Sequence, residues 1–127
     1  MPGAGPTQRE KAVQRVLLVD DDVSMRALLP RILLRKGFEV HAAADADAAE
    51  QLLEKEAFDA VVVDLQMPGR DGFALVSAVQ RRWPSVRVII VSAFDSDATR
   101  RRAATLQVHG FLAKPVGVEE LVLCLRR

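Results

Sequence analysis

Cysteine, net charge and long apolar stretches are scarce in this chain, and each scarcity excludes a class of protein. The one cysteine, Cys124, cannot form an internal disulfide, and its apolar neighbours favour core packing over a reactive thiol. A formal net charge of +1 gives no general attraction to nucleic acid or anionic lipid. No apolar stretch is long enough to cross a bilayer, and residues 1–11 lack the hydrophobic segment of a secretory signal. We therefore expect a cytoplasmic domain that binds neither nucleic acid nor membrane directly.

What the chain does contain is a regular alternation of predicted strands and helices. Its 127 residues, half of them hydrophobic, suit one compact domain, which we assign to residues 15–127 after a flexible lead-in of residues 1–14. The apolar patterns predict strands over 15–19, 38–42, 58–64, 86–91 and 109–113. They predict helices over about 24–36, 45 or 47 to 56, 73–83, 96 or 97 to 106, and 117–126.

Five consecutive strand–helix units predict an α/β fold with a doubly wound parallel sheet. Right-handed crossovers then force helices onto both faces of the sheet, which gives a three-layer sandwich. The β-branched stretch 58–64 is the predicted central strand, and 38–42 is the predicted edge strand. Pro30 is unusual inside the first predicted helix, where proline costs about 3 kcal/mol, and it predicts a kink or a late helix start.

Four of the predicted strands end on residues that can handle a phosphoryl group. Asp20 and Asp21 follow the first strand, and Asp64 ends the third. Ser92 ends the fourth strand and Lys114 follows the fifth. Because the carboxyl ends of parallel strands meet at one edge of a sheet, we expect these five side chains to lie together.

The acidic members of this group predict a divalent cation site. Adjacent carboxylates resist ionising together unless a cation lies among them, and oxygen ligands without His or Cys favour Mg²⁺ over zinc or iron. The alternative is that residues 20–22 only cap the first helix. Asp64 argues against that alternative, because a carboxylate that ends an apolar strand has no capping function.

Asp64 also fits the role of a nucleophile. Attack of its carboxylate on phosphorus would give an aspartyl phosphate. Phosphoryl transfer depends mainly on positioning and on charge neutralisation. A divalent ion, the Lys114 ammonium and a hydrogen bond from the Ser92 hydroxyl would supply both.

Four motifs, in order, resemble those of the receiver domain of bacterial two-component response regulators. They are VLLVDDD at 16–22, DLQMPGRDG at 64–72, IVS at 90–92 and FLAKP at 111–115. The resemblance covers about residue 15 to the end of the chain. It implies a flavodoxin-like fold with strand order 2-1-3-4-5, and a phosphoacceptor that supports its own phosphotransfer and autodephosphorylation rather than an enzyme.

The resemblance also implies roles for individual residues of this chain. Asp64 would accept the phosphoryl group from a histidine kinase or a phosphotransfer protein. Asp21 and Asp64, with the Gln66 carbonyl, would bind Mg²⁺ or Mn²⁺, and Asp20 would act through water.

A switch and a dimer face are further implications of the resemblance. Ser92 and Lys114 would hold the phosphoryl oxygens. The Ser92 hydroxyl would move toward the phosphate and open space for Phe111 to turn inward. The fourth helix, fifth strand and fifth helix would form the face of a homodimer. The basic residues 100–102 on the fourth helix either form a solvated surface or pair with acids of that second copy.

Two other functions stay open at this point. One is a receiver-like interaction domain that works without phosphorylation. The other is an aspartate-nucleophile phosphatase of the haloacid dehalogenase type, which has a second Asp where this chain has Gln66. A dinucleotide-binding fold has little support, because no G-x-G-x-x-G follows the first strand.

Overall fold

A five-stranded parallel sheet lies between two helical layers in the computed structural model, which describes residues 14–67, 69 and 71–127. The strands are β1 (Gln14–Val19), β2 (Phe38–Ala43), β3 (Ala60–Asp64), β4 (Arg87–Ser92) and β5 (Gly110–Ala113). The helices are α1 (Val23–Arg35), α2 (Ala46–Lys55), α3 (Gly72–Arg82), α4 (Asp97–Thr105) and α5 (Val118–Arg126).

The strand order β2-β1-β3-β4-β5 confirms the predicted doubly wound sheet, with β3 in the centre and β2 at an edge. Every residue of β3 is buried, as a strand covered on both faces requires. β1 begins at Gln14, one residue before the predicted boundary, and the rest of the predicted lead-in lies outside the described residues. None of the described helices is both long enough and apolar enough to span a membrane.

Side chains alternate between the two faces of the sheet and build a separate core on each. Val16 and Leu18 of β1 pack with α1 and α5, whereas Leu17 and Val19 pack with α2, α3 and α4. All four are essentially inaccessible to solvent. This alternation fixes the register of the strands, since a slip by one residue would exchange the two faces. The register in turn fixes where each strand ends at the edge of the sheet.

Helix α1 is uninterrupted through Pro30, so the predicted late helix start is wrong. The helix begins at Val23, directly after Asp22, whose side chain accepts hydrogen bonds from the backbone of Ser24 at 2.8 Å and of Met25. Leu29, directly before the proline, and Leu33, one turn later, are both buried against the sheet. Capping and burial together hold the helix across the missing hydrogen bond. A kink at Pro30 stays a prediction.

Cys124 lies in the core, as expected, where α5 packs closely against β5. Its thiol is buried, and burial raises the thiol pKa above the ordinary value. Gly110 of β5 faces it, and a Cβ added to Gly110 would lie well inside van der Waals contact with Cys124 Sγ. The absence of a side chain at Gly110 is what lets α5 approach the sheet.

We expect Gly110→Ala to destabilise the domain by about 1–3 kcal/mol, because overpacking a filled core forces its neighbours to shift. Removing the facing sulfur should relieve the clash. The double variant Gly110→Ala/Cys124→Ala should therefore be more stable than the sum of the two single effects, with a coupling energy of about 1 kcal/mol or more. Urea unfolding of all four proteins measures this coupling, and strictly additive effects would contradict the proposed contact.

Candidate functional site

The polar residues predicted at the strand ends meet at the carboxyl edge of the sheet. Asp64 of β3 pairs with Val91 of β4, so Ser92 lies one residue further along β4. Ser92 pairs in turn with Ala113 of β5, and its carbonyl accepts a hydrogen bond from the Lys114 backbone at 2.9 Å. The parallel register alone therefore places the hydroxyl and the lysine beside the central carboxylate.

Three carboxylates form an acidic cluster at this edge. Single oxygens of Asp20, Asp21 and Asp64 lie within 4.8 Å of one another. Asp20 is 2% exposed and Asp64 is 4% exposed, whereas Asp21 is open to solvent. Carboxylate oxygens are hard donors, and here two of the three carboxylates are buried while the third is exposed. This arrangement fits a magnesium-like ion that keeps part of its water shell.

Lys114 connects two of these carboxylates. Its Nζ donates to Asp64 Oδ2 at 3.1 Å and to Asp20 Oδ2 at 3.5 Å. Burial by itself would lower the pKa of Lys114, but the hydrogen bond to Asp64 and the charges of both acids outweigh it, so the pKa lies above its ordinary value. The side chain is therefore a fixed positive charge in this cluster. The Lys114–Pro115 peptide bond that follows is cis.

Asp20 is held at each of its polar groups. Its backbone nitrogen donates to Ala43 O at 3.1 Å, and its Oδ1 accepts from the Asp22 backbone at 2.9 Å. Its carbonyl accepts from Arg26 Nη1 at 3.0 Å. Burial raises the pKa of the Asp20 carboxyl, and the Asp22 hydrogen bond and the Lys114 charge offset this only in part.

Arg26 is the member of the site that sequence reasoning missed. It is half-buried in the first turns of α1 and reaches back to the backbone of the acidic cluster. Its position in the sequence could have revealed it. An arginine on a helix that begins directly after a run of acids has the length and the charge to contact those acids or their backbone.

The loop after Asp64 is shaped by a tight approach of its two ends. The Gln66 backbone donates to Asp64 Oδ1 at 3.0 Å, while the other Asp64 oxygen faces Lys114. Gly72 closes the loop, because a Cβ there would lie 2.7 Å from Leu65 Cα. The loop therefore needs glycine at this position. The metal-binding role of the Gln66 carbonyl stays a prediction.

Ser92 is fully buried, and its Oγ accepts a hydrogen bond from the Phe94 backbone at 3.0 Å. A hydroxyl can accept and donate at the same time, so this contact leaves the Ser92 proton able to donate. Its donation to a phosphoryl oxygen stays a prediction.

The basic run on α4 has partners within its own chain. The Arg100 guanidinium lies 4.8 Å from the centre of the half-buried Phe111 ring and also bonds to Asp95. Arg102 lies 4.2 Å from the centre of the Phe73 ring. All three arginines of the run are nevertheless exposed, which agrees with the predicted solvated surface. Pairing of these arginines with a second copy stays a prediction.

The family model of the "Response regulator receiver domain" matches residues 16–126 of this chain. The chain belongs to this family. The regulatory protein VirG of Agrobacterium fabrum is 34% identical over 126 residues, which are 99% of this chain but 50% of VirG. The receiver domain thus spans about half the length of that relative, and 22% of the Pseudomonas aeruginosa response regulator FleR.

Solved structures show the same fold. The chemotaxis protein CheY4 of Vibrio cholerae has a TM-score of 0.84 and 30% identity, with 91% of this chain and 98% of CheY4 covered. A response regulator from Burkholderia pseudomallei, solved with a phosphorylated aspartic acid, a calcium ion and citrate, has a TM-score of 0.82 and 29% identity. That match covers 88% of this chain and 66% of the other.

Ionised Asp20 should lower the stability of the metal-free receiver domain. Its folded-state pKa is raised, so the folded protein binds more protons than the unfolded chain between the two pKa values, and stability falls as the pH rises through that interval. Asp20→Asn removes the buried charge and is expected to raise the melting temperature by a few degrees at pH 7 in the presence of a chelator. Calorimetry measures the shift.

The gain should shrink as the pH is lowered and vanish below 3.8, the ordinary carboxyl pKa, where Asp20 is protonated in both states. The control is Asp97→Asn in the first turn of α4, where an exposed acid is favoured by the helix dipole, and it should give no rise. An Asp20→Asn protein less stable than the parent at pH 7 would mean that the attraction of Lys114 exceeds the burial cost.

Proposed function

We propose that this receiver domain accepts a phosphoryl group on Asp64 from the phosphohistidine of a histidine kinase or a phosphotransfer protein. The observation that carries the proposal is the contact of Lys114 Nζ with the buried Asp64 carboxylate, 3.1 Å away, inside the acidic cluster. A structural aspartate at the end of an apolar strand would not need two further carboxylates beside it. A phosphoacceptor with a cation site needs all of these groups.

The transfer conserves atoms and charge in one displacement. An Asp64 oxygen forms the new bond to phosphorus while the P–N bond to the donor imidazole breaks, and the imidazole keeps the electron pair and takes up a proton. The incoming phosphoryl group brings negative charge to a buried edge. Lys114 offsets part of this charge, and the Ser92 hydroxyl donates to one phosphoryl oxygen.

Mg²⁺ or Mn²⁺ is the proposed cofactor. Asp21 and Asp64, with the Gln66 carbonyl, would hold the ion, and Asp20 would hold one of its waters. The bound ion supplies charge neutralisation between the carboxylates and the phosphoryl oxygens. The oxygen-only donor set at the acidic cluster supports this assignment.

The proposed output is a change at α4, β5 and α5. Movement of the Ser92 hydroxyl toward a phosphoryl group would free space for Phe111, whose ring packs under Arg100. That face would then bind a second copy or an output segment. Hydrolysis of the aspartyl phosphate by water would return the domain to its starting state. The domain works in the cytoplasm in this proposal, without contacting nucleic acid or membrane itself.

Incubation with acetyl phosphate and Mg²⁺ should add one phosphoryl group to the parent, because acetate leaves as readily as a donor imidazole. Intact mass spectrometry measures the gain, which should disappear with a chelator and in Asp64→Asn. Lys114→Met should slow the reaction on the order of 100-fold, the usual effect of removing one charge-stabilising donor.

The matched control is Asp59→Asn, which changes an exposed aspartate just before the other end of β3 and should be phosphorylated like the parent. An unmodified parent that still binds Mg²⁺ would indicate an interaction domain working without phosphorylation. Steady release of phosphate from unrelated phosphomonoesters would indicate a phosphatase.

A further inference from the structure

The backbone carbonyl of Asp20 needs a donor that the sheet does not provide. β1 ends at Val19, so this carbonyl lies beyond the strand ladder, in a residue that is 2% exposed. A buried carbonyl without a partner costs about 1–3 kcal/mol. Among the described residues, Arg26 Nη1 donates a hydrogen bond to this carbonyl at 3.0 Å.

This hydrogen bond restrains two acids at once. The Asp20 carbonyl belongs to the planar peptide unit that joins Asp20 to Asp21, so fixing its oxygen fixes the direction in which the chain enters Asp21. Asp21 is the exposed member of the cluster, at its open side. Arg26 therefore acts on the backbone that presents both carboxylates and does not touch either carboxylate in the structure.

The charge of Arg26 works in the opposite direction to its hydrogen bond. A guanidinium close to an acidic cluster lowers the attraction of that cluster for a divalent cation. Restraint of the ligands raises the same affinity, because less freedom is lost when the ion binds. The sign of the change in Mg²⁺ affinity when Arg26 is removed therefore separates positioning from simple electrostatics.

We propose that Arg26 is a positioning residue of the metal site, holding the Asp20–Asp21 peptide so that both carboxylates converge on one cation. The inference rests on the proposed function, in which this cluster binds Mg²⁺. This positioning role requires a rigid, half-buried hydrogen-bond donor on α1, and the forked guanidinium of Arg26 provides one.

The test compares the parent with Arg26→Met, Arg26→Lys and a control. Arg26→Met should weaken Mg²⁺ binding on the order of 10-fold in isothermal titration calorimetry, as loss of a group that orients metal ligands usually does. Arg26→Lys keeps one donor and the charge and should recover part of the affinity. The control Arg31→Met, an exposed arginine on the same helix, should bind like the parent.

Phosphorylation by acetyl phosphate provides the second measurement. At saturating Mg²⁺ the Arg26→Met rate should return to near the parent rate, because the residue acts through the metal ligands. A variant that had merely lost structure would stay slow at any Mg²⁺ concentration, and its lower melting temperature in chelator would identify it. That result would overturn the positioning role.

Two other results would also overturn it: Mg²⁺ affinity in Arg26→Met equal to that of the parent, or tighter. The tighter value would show that only the charge of Arg26 reaches the site. Failure of the proposed function looks different, because the parent itself would then bind no Mg²⁺ or gain no phosphoryl group. A parent that does both, beside an Arg26→Met protein with unchanged affinity, would refute the inference alone.

Discussion

The repulsion between buried carboxylates at the edge of the sheet is the constraint on which this domain depends. Asp20 and Asp64 lie in an apolar frame with one ammonium, Lys114, between them, and Asp21 adds a third negative charge nearby. One cation does not neutralise three anions, and desolvation makes the imbalance costly. Burial raises the pKa of Asp20, and the nearby charge of Asp64 adds a smaller increase. An added cation would offset this imbalance of charge, which supports the proposed metal site.

The parallel sheet holds these like charges close together despite their repulsion. The carboxylates lie at the ends of β1 and β3, which are buried on both faces, so the backbone cannot relax to separate these charges without disrupting a core. β3 contributes Asp64 from the centre of the sheet, where neighbouring strands restrain it on both sides. An acidic cluster of the same composition on a mobile loop would spread apart. Here the packing energy of the apolar strands holds the carboxylates together.

Sequence patterns predicted what depends on periodicity and strand ends. The doubly wound parallel sheet and the meeting of Asp64 with Lys114 follow from apolar strands in parallel register, so they could be foreseen. The order of the strands was implied by the resemblance to receiver domains. Arg26 and the Arg100–Phe111 contact could not, because side-chain reach depends on how helices sit on the sheet. The late start predicted from Pro30 was wrong because local propensity was weighed without the Asp22 cap and the burial of α1.

Few contacts connect Ser92 with the exposed face of α4. Ser92 accepts from Phe94, and the same β4–α4 loop carries Asp95, the acid that bonds to Arg100. Arg100 also covers the ring of Phe111. Any shift of the Ser92 loop therefore acts on the salt bridge that orients the guanidinium above this ring. Because that salt bridge is exposed, it contributes little to stability, so in the proposed switch a ligand with modest differential affinity would be enough to reset the arrangement.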